Sequence, residues 1–100
     1  MTGRLDVAVF AGRLGQTFRI QFQDGSSLDL ELAEVQDLGT RPTADGPLST
    51  YSLRFRTPGE KRFTPQGTYR VEHAELEPLE IFLVPLGPDA LGMRYEAIFN

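Results

Sequence analysis

The apolar and polar positions of this chain change period along its length, and each change marks an element. Val7, Phe10, Ala11 and Leu14 recur at near-helical spacing behind Asp6, a residue type that caps helix starts, and Gly15 follows where the chain must leave the helix. Two turns of helix with one apolar side are predicted, too short to persist without something beneath them. Over residues 16–23 the period becomes two: Phe18, Ile20 and Phe22 alternate with Thr17, Arg19 and Gln21, and Asp24-Gly25 supplies a hairpin signal. Leu28, Leu30 and Leu32 resume the alternation against Asp29 and Glu31, but Val35 and Leu38 fall out of phase. A β-bulge near Ala33 or Glu34 restores the facing and bends the strand.

Residues 39–47, with Pro42, Asp45, Gly46 and Pro47, read as a loop. A strand follows over residues 49–57, with Tyr51, Leu53 and Phe55 on one face and Ser52, Arg54 and Arg56 on the other, ended by Pro58-Gly59. Residues 60–66 read as a second loop, whose one large apolar residue is Phe63. Tyr69 and Val71 point inward from a strand over residues 68–73, and residues 74–78 read as a short acidic connection. The densest apolar stretch, LEIFLVPLGPDALGMRYEAIFN over residues 79–100, reads as a hairpin of strands 79–85 and 93–99 around a loop of about seven residues. Pairing Leu83 with Tyr95, Ile81 with Ala97 and Leu79 with Phe99 keeps its core phases together. A slip of one residue would set Glu96 against Leu83.

Six short strands joined by connections too short for parallel crossovers predict an all-β, antiparallel fold with a short N-terminal helix. With so few strands, closure into a small barrel removes exposed edges more completely than an open sheet does, and a two-sheet sandwich is the alternative. At 100 residues the chain is read as a single domain, burying roughly 60 to 70% of its extended-chain surface.

Charge and composition narrow the partners. A net charge of -4 repels phosphate backbones and anionic lipid, so neither nucleic acid nor membrane is expected as a partner. Apolar runs reach about five residues, against roughly 20 for a membrane helix, and the N-terminus lacks a signal-peptide core. The absence of cysteine removes disulfides, thiolate nucleophiles and Cys-ligated metals, and a cytoplasmic location is expected.

The segments LGQTFRI, GTYRVEH, LEIFLVPLGP and YEAIFN together resemble a family of short uncharacterised bacterial proteins of about 100 residues that end in Tyr-Glu-Ala-x-Phe-Asn. The resemblance spans nearly the whole chain and brings no assigned activity. It implies a place beside phage-tail-like and tail-collar proteins, and hence an assembly or accessory role.

No reaction centre is visible. His73 is the one histidine, and with Glu72, Glu75 and Glu77 it falls short of the three or four N or S ligands zinc needs; it reads as a strand-end residue near solvent. No serine sits in a nucleophile elbow, and Gly12 and Gly15 fit neither phosphate-loop pattern. No catalytic residue, metal or cofactor is expected. Arg54, Arg56, Lys61 and Arg62 interleave with Phe55 and Phe63, as in surfaces that bind single strands. Phe55 is in the inward phase of its strand, however, and Asp29 and Glu31 stand ready to pair across the ladder with Arg54 and Arg56. The basic segment and the acidic one bearing Glu72, Glu75 and Glu77 also permit head-to-tail association between copies.

The strand over residues 79–85 is apolar on both faces: Leu79, Ile81 and Leu83 point inward, while Phe82 and Val84, with Ile98 on the next strand, form an outer patch. The expected cover for this patch is the helix, through Val7, Phe10 and Leu14, with a partner protein as the alternative. The function expected is a non-enzymatic structural or interaction module working through other proteins or further copies of itself, with a small-ligand or carbohydrate-binding barrel as the alternative.

Overall fold

The computed structural model describes residues 7–58 and 64–99, among which lie one helix, α1 (Val7–Ala11), and six strands: β1 (Thr17–Gln21), β2 (Ser27–Thr43), β3 (Gly46–Pro58), β4 (Gly67–His73), β5 (Leu76–Asp89) and β6 (Gly92–Phe99). The strands are antiparallel and hydrogen-bonded in the closed order β1-β2-β3-β6-β5-β4, with β4 returning to β1. The closed barrel expected from the alternation is therefore the fold, and the sandwich is not. Asp6, Gly59 and Phe63, which were given capping, turn and loop roles, lie outside the described residues.

Alternation places the core as expected. Phe18 and Ile20, Leu28, Leu30 and Leu32, Tyr51, Leu53 and Phe55, Val71, Ile81 and Leu83, and Tyr95 and Ala97 are all buried inside the barrel. Thr57 is buried with them, its hydroxyl accepting the Met93 amide at 3.1 Å. The bulge also falls in its expected place, the β2–β3 register shifting between Leu32 and Glu34.

The helix is shorter than expected and sits elsewhere. It ends at Ala11, and the exit turn is tied to β2 by Gly15 N–H to the Leu32 carbonyl (2.8 Å) and Leu32 N–H to the Gln16 carbonyl (3.1 Å). It packs on β2 and β3 rather than on the outer face of β5. Phe10, 1% exposed, enters the end of the barrel against Phe18, Tyr51 and Phe99. Leu14, beyond the helix, is 53% exposed. At the barrel end the Phe10 ring leaves water entirely and meets three other aromatic rings, which favours this placement of the helix.

Three segments read as loops are mostly strand. Residues 39–47 belong to a long β2–β3 hairpin whose ladder runs to Pro42 opposite Pro47 and Thr43 opposite Gly46. β1 pairs β2 up to Glu31, and β6 pairs β3 from Tyr51 onward. Residues 36–50 therefore project from the barrel as a two-stranded arm, and the molecule measures 41 × 28 × 23 Å. A second register shift, between Asp37 and Thr40, bends the arm; Gly39 occupies it at φ 91°, its amide bonded to Asp37 Oδ1 at 2.8 Å. Proline at residues 42 and 47 is compatible with strand because the arm's outer edges have no ladder to donate to. Residues 74–78 hold a tight turn, with His73 opposite Leu76.

The C-terminal hairpin keeps its predicted facing and loses its predicted register. Val84 pairs with Glu96 and Pro85 with Tyr95, two residues from the expected Leu83–Tyr95 alignment. A slide of two preserves the inward set, since strand facing repeats every second residue. The slide follows from the turn: β5 continues to Asp89 and reverses at Ala90-Leu91, with Asp89 Oδ1 accepting the amides of Leu91 (2.8 Å) and Gly92 (3.1 Å). A bulge between Pro85 and Gly87, with Gly87 at φ 102°, completes it. Pro85 and Pro88 lie past Leu83, the last residue of β5 paired to β4.

Candidate functional site

The outward apolar patch lacks the cover assigned to it. Phe82 is 50% exposed and Ile98 55%, while Val84 is half-buried. Phe82 stands opposite Thr68 on β4, and Ile98 opposite Ser52 on β3. Phe82 and Ile98 each lie two residues beyond Val84–Glu96, the pair at which the β5–β6 ladder ends, and both face outward.

The charged face is an ion-pair network with partners other than those expected. Asp29 pairs with Arg19, its Cα partner on β1, at 2.8 Å. The β2 bulge sets Glu34 opposite Arg54, and Glu96 stands on the other side of Arg54, giving a row across three strands at 3.6 and 3.4 Å. Glu31 is opposite Arg56, but Arg56 turns to Asp89 at 2.8 Å. Exposed pairs of this kind contribute about 0.2–1 kcal/mol each. Arg56 also holds its Nε buried without a hydrogen-bond partner, a placement that costs about 1–3 kcal/mol. Its other cross-strand neighbour is Arg94. Neither the sequence pattern nor composition points to Arg94 or Asp89, because the turn at Ala90-Leu91 and the Pro85–Gly87 bulge decide which residues reach Arg56.

Of the acidic residues, Glu72 accepts from Arg70 (3.2 Å) and Glu75 from Arg13 (3.5 Å), while Glu77 is exposed. Lys61 and Arg62 lie outside the described residues. His73 has a structural setting: its ring lies 4.7 Å from that of Phe18, Nδ1 accepts the Glu75 amide at 3.0 Å, and Nε2 therefore carries the proton toward Gln16 Oε1 at 2.7 Å. Among the described residues no group of three or more His, Cys, Asp or Glu side chains is placed to hold a metal ion.

The lip of the barrel at β1 and β4 carries a groove of about 540 Å³, lined by Gln21, Phe22, Gln23, Thr68, Tyr69, Arg70 and Glu80. Phe22 and Tyr69 form its aromatic floor, edge to face at 5.9 Å, and the Tyr69 hydroxyl is tied to Thr64 and to the Pro65 carbonyl. The β2–β3 arm is the other feature missed by sequence reasoning. Asp45-Gly46 carries the same hairpin signal as Asp24-Gly25 but was masked by flanking prolines. Leu38, on the arm, is 48% exposed.

No curated protein and no solved structure matches this chain. A family profile does, along residues 5–99, and its description is a domain of unknown function. The ring of antiparallel strands with its N-terminal helix is thus the fold of a member of that family, and the chain belongs to DUF6916.

Proposed function

We propose that this domain is a non-enzymatic interaction module of a protein assembly, contacting other proteins or further copies of itself through the β2–β3 arm and the outward face of β5 and β6. The observation that carries the reading is the arm. Residues 36–50 extend as a two-stranded ribbon with no third strand among the described residues, and most of them are exposed. An isolated hairpin is marginal in water, and so a long one is retained where it gains a contact. Its edges are blunted by Pro42, Pro47 and the Gly39 bulge, which disfavours indiscriminate edge pairing and leaves side-chain contacts as the means of recognition. The uncovered Phe82 and Ile98 offer a second, apolar contact on the barrel wall. A phage-tail-like assembly is the setting that the sequence resemblance implies.

The test is co-purification of the tagged chain with the products of neighbouring genes, together with light scattering. A variant in which residues 38–47 are replaced by Asn-Gly should keep the barrel's circular dichroism and lose association. A chain that stays monomeric at every concentration and salt level, and that captures no neighbouring gene product, would sink the proposal.

A second reading, a small-ligand or carbohydrate site, is favoured by the groove at the barrel lip. Its floor of Phe22 and Tyr69 is bordered by Gln21, Gln23, Thr68 and Glu80, a mixture of aromatic ring and planar polar groups that suits sugars. A thermal-shift screen of mono- and oligosaccharides tests it; no stabilisation by any of them would remove it.

A further inference from the structure

Arg56 and Arg94 are cross-strand partners on the outward face of β3 and β6. Like charges so placed destabilise a sheet unless an anion stands between them. Glu31 stands opposite Arg56 without pairing with it, and the carboxylate that does reach this pair, Asp89, already accepts three bonds: Oδ2 from Arg56 at 2.8 Å, and Oδ1 from the Leu91 and Gly92 amides. Arg94 meets a neutral acceptor, the Gly87 carbonyl, at 3.3 Å through Nε, and its terminal nitrogens have no acceptor among the described residues. The Nε of Arg56 is buried and unbonded. Between the two arginines opens a cavity of about 160 Å³, whose other charged lining is Arg54, Glu34 and Asp89.

We infer that this cavity is a binding site for a single carboxylate, supplied by an acidic side chain of a partner protein and held by Arg94 and Arg56. Arg54 is already paired with Glu34 and Glu96, and Arg56 with Asp89, so among the described residues Arg94 is the guanidinium of the lining without a carboxylate, a charge that one further carboxylate neutralises and a doubly charged phosphate would overshoot. The planar fork of a guanidinium matches a carboxylate in geometry as well as charge. The assignment rests on the interaction-module reading and names the chemistry of one of its contacts.

The experiment follows the arginine Nε–Hε resonances of the full ¹⁵N-labelled chain. Sodium acetate, sodium phosphate and a blocked Gly-Glu-Gly peptide are titrated separately against chloride at fixed ionic strength. Saturable shifts at Arg56 and Arg94 with acetate and peptide are expected, absent with chloride, and Arg94→Gln should weaken both at least tenfold. Arg94→Lys, which keeps the charge and loses the fork, should fall between the two; equal affinity in all three chains overturns the site. Shifts that grow linearly without saturating, or phosphate saturating at lower concentration than acetate, also overturn it. Acetate binding that the peptide fails to reproduce overturns the assignment to a partner side chain. The titration needs no partner protein. Failed co-purification with an intact titration therefore counts against the module reading, and the reverse result counts against the site.

Discussion

The Phe10 ring lies 5.8 Å from that of Tyr51, so a residue of the N-terminal helix is a member of the barrel core. Burial of both rings makes α1 a plug for one barrel end. Phe10→Ala should therefore cost about 3–5 kcal/mol, measured by urea denaturation, as for other buried aromatic truncations. Leu14→Ala, at an exposed position, should stay within about 0.5 kcal/mol. Equal and small effects from both substitutions would show that the helix is dispensable to the fold.

Gly39 carries the bend of the arm at φ 91°, and a Cβ built there meets no atom within 4 Å. Any penalty for Gly39→Ala is therefore conformational rather than steric, about 1–2 kcal/mol. Since the Thr50 hydroxyl donates to the Gly39 carbonyl at 3.1 Å where the arm joins the barrel, the strain should appear locally. Hydrogen exchange at the Thr40 and Arg41 amides is expected to quicken about five-fold or more while the barrel core is unchanged. Uniformly faster exchange in β1 and β6 would mean that the arm and barrel unfold as one unit.

The Arg56 guanidinium, followed by the Leu91 amide, holds the Asp89 carboxyl below the usual carboxylate range. A folded-state pKa depressed in this way stabilises the protein fully above the unfolded value and loses that stabilisation as pH falls through the folded one. Asp89→Asn keeps an oxygen for the turn amides and removes the charge. The wild type should be the more stable chain near neutral pH, and the difference should close as pH drops below about 4. A stability gap that persists unchanged into strong acid would remove the ionic contribution.

What the sequence revealed follows from the physics of each element. Strand facing depends on an alternation written locally in residues such as Phe18, Ile20, Leu30, Leu53 and Tyr95, and every one of these is buried. Register is settled at turns and bulges, where one residue shifts everything downstream; the Gly87 bulge and the Asp89 turn moved the C-terminal pairing by two. Proline and glycine at residues 42, 46 and 47 signalled a loop because the pattern does not record that an arm with open edges tolerates them. Ion pairs were least legible. The carboxylate beside Arg56 comes from Asp89, 33 residues away, and no spacing along the chain encodes that meeting.

Phe82 and Leu83 are adjacent in sequence and opposite in consequence. Leu83 is buried in the barrel, whereas Phe82, like Ile98, is half-exposed on the outer wall. Leu83→Ala should cost about 2–5 kcal/mol, since it empties a packed interior position. Phe82→Ser, although it removes the larger side chain, should change stability by about 0.5 kcal/mol or less. If the outer wall is a contact surface, Phe82→Ser paired with Ile98→Thr will lower association measured by light scattering or co-purification, while the urea midpoint stays close to that of the wild type. A large loss of stability in that double variant would instead show that Phe82 and Ile98 contribute to the fold itself, and the apolar patch would lose its place among the contact surfaces.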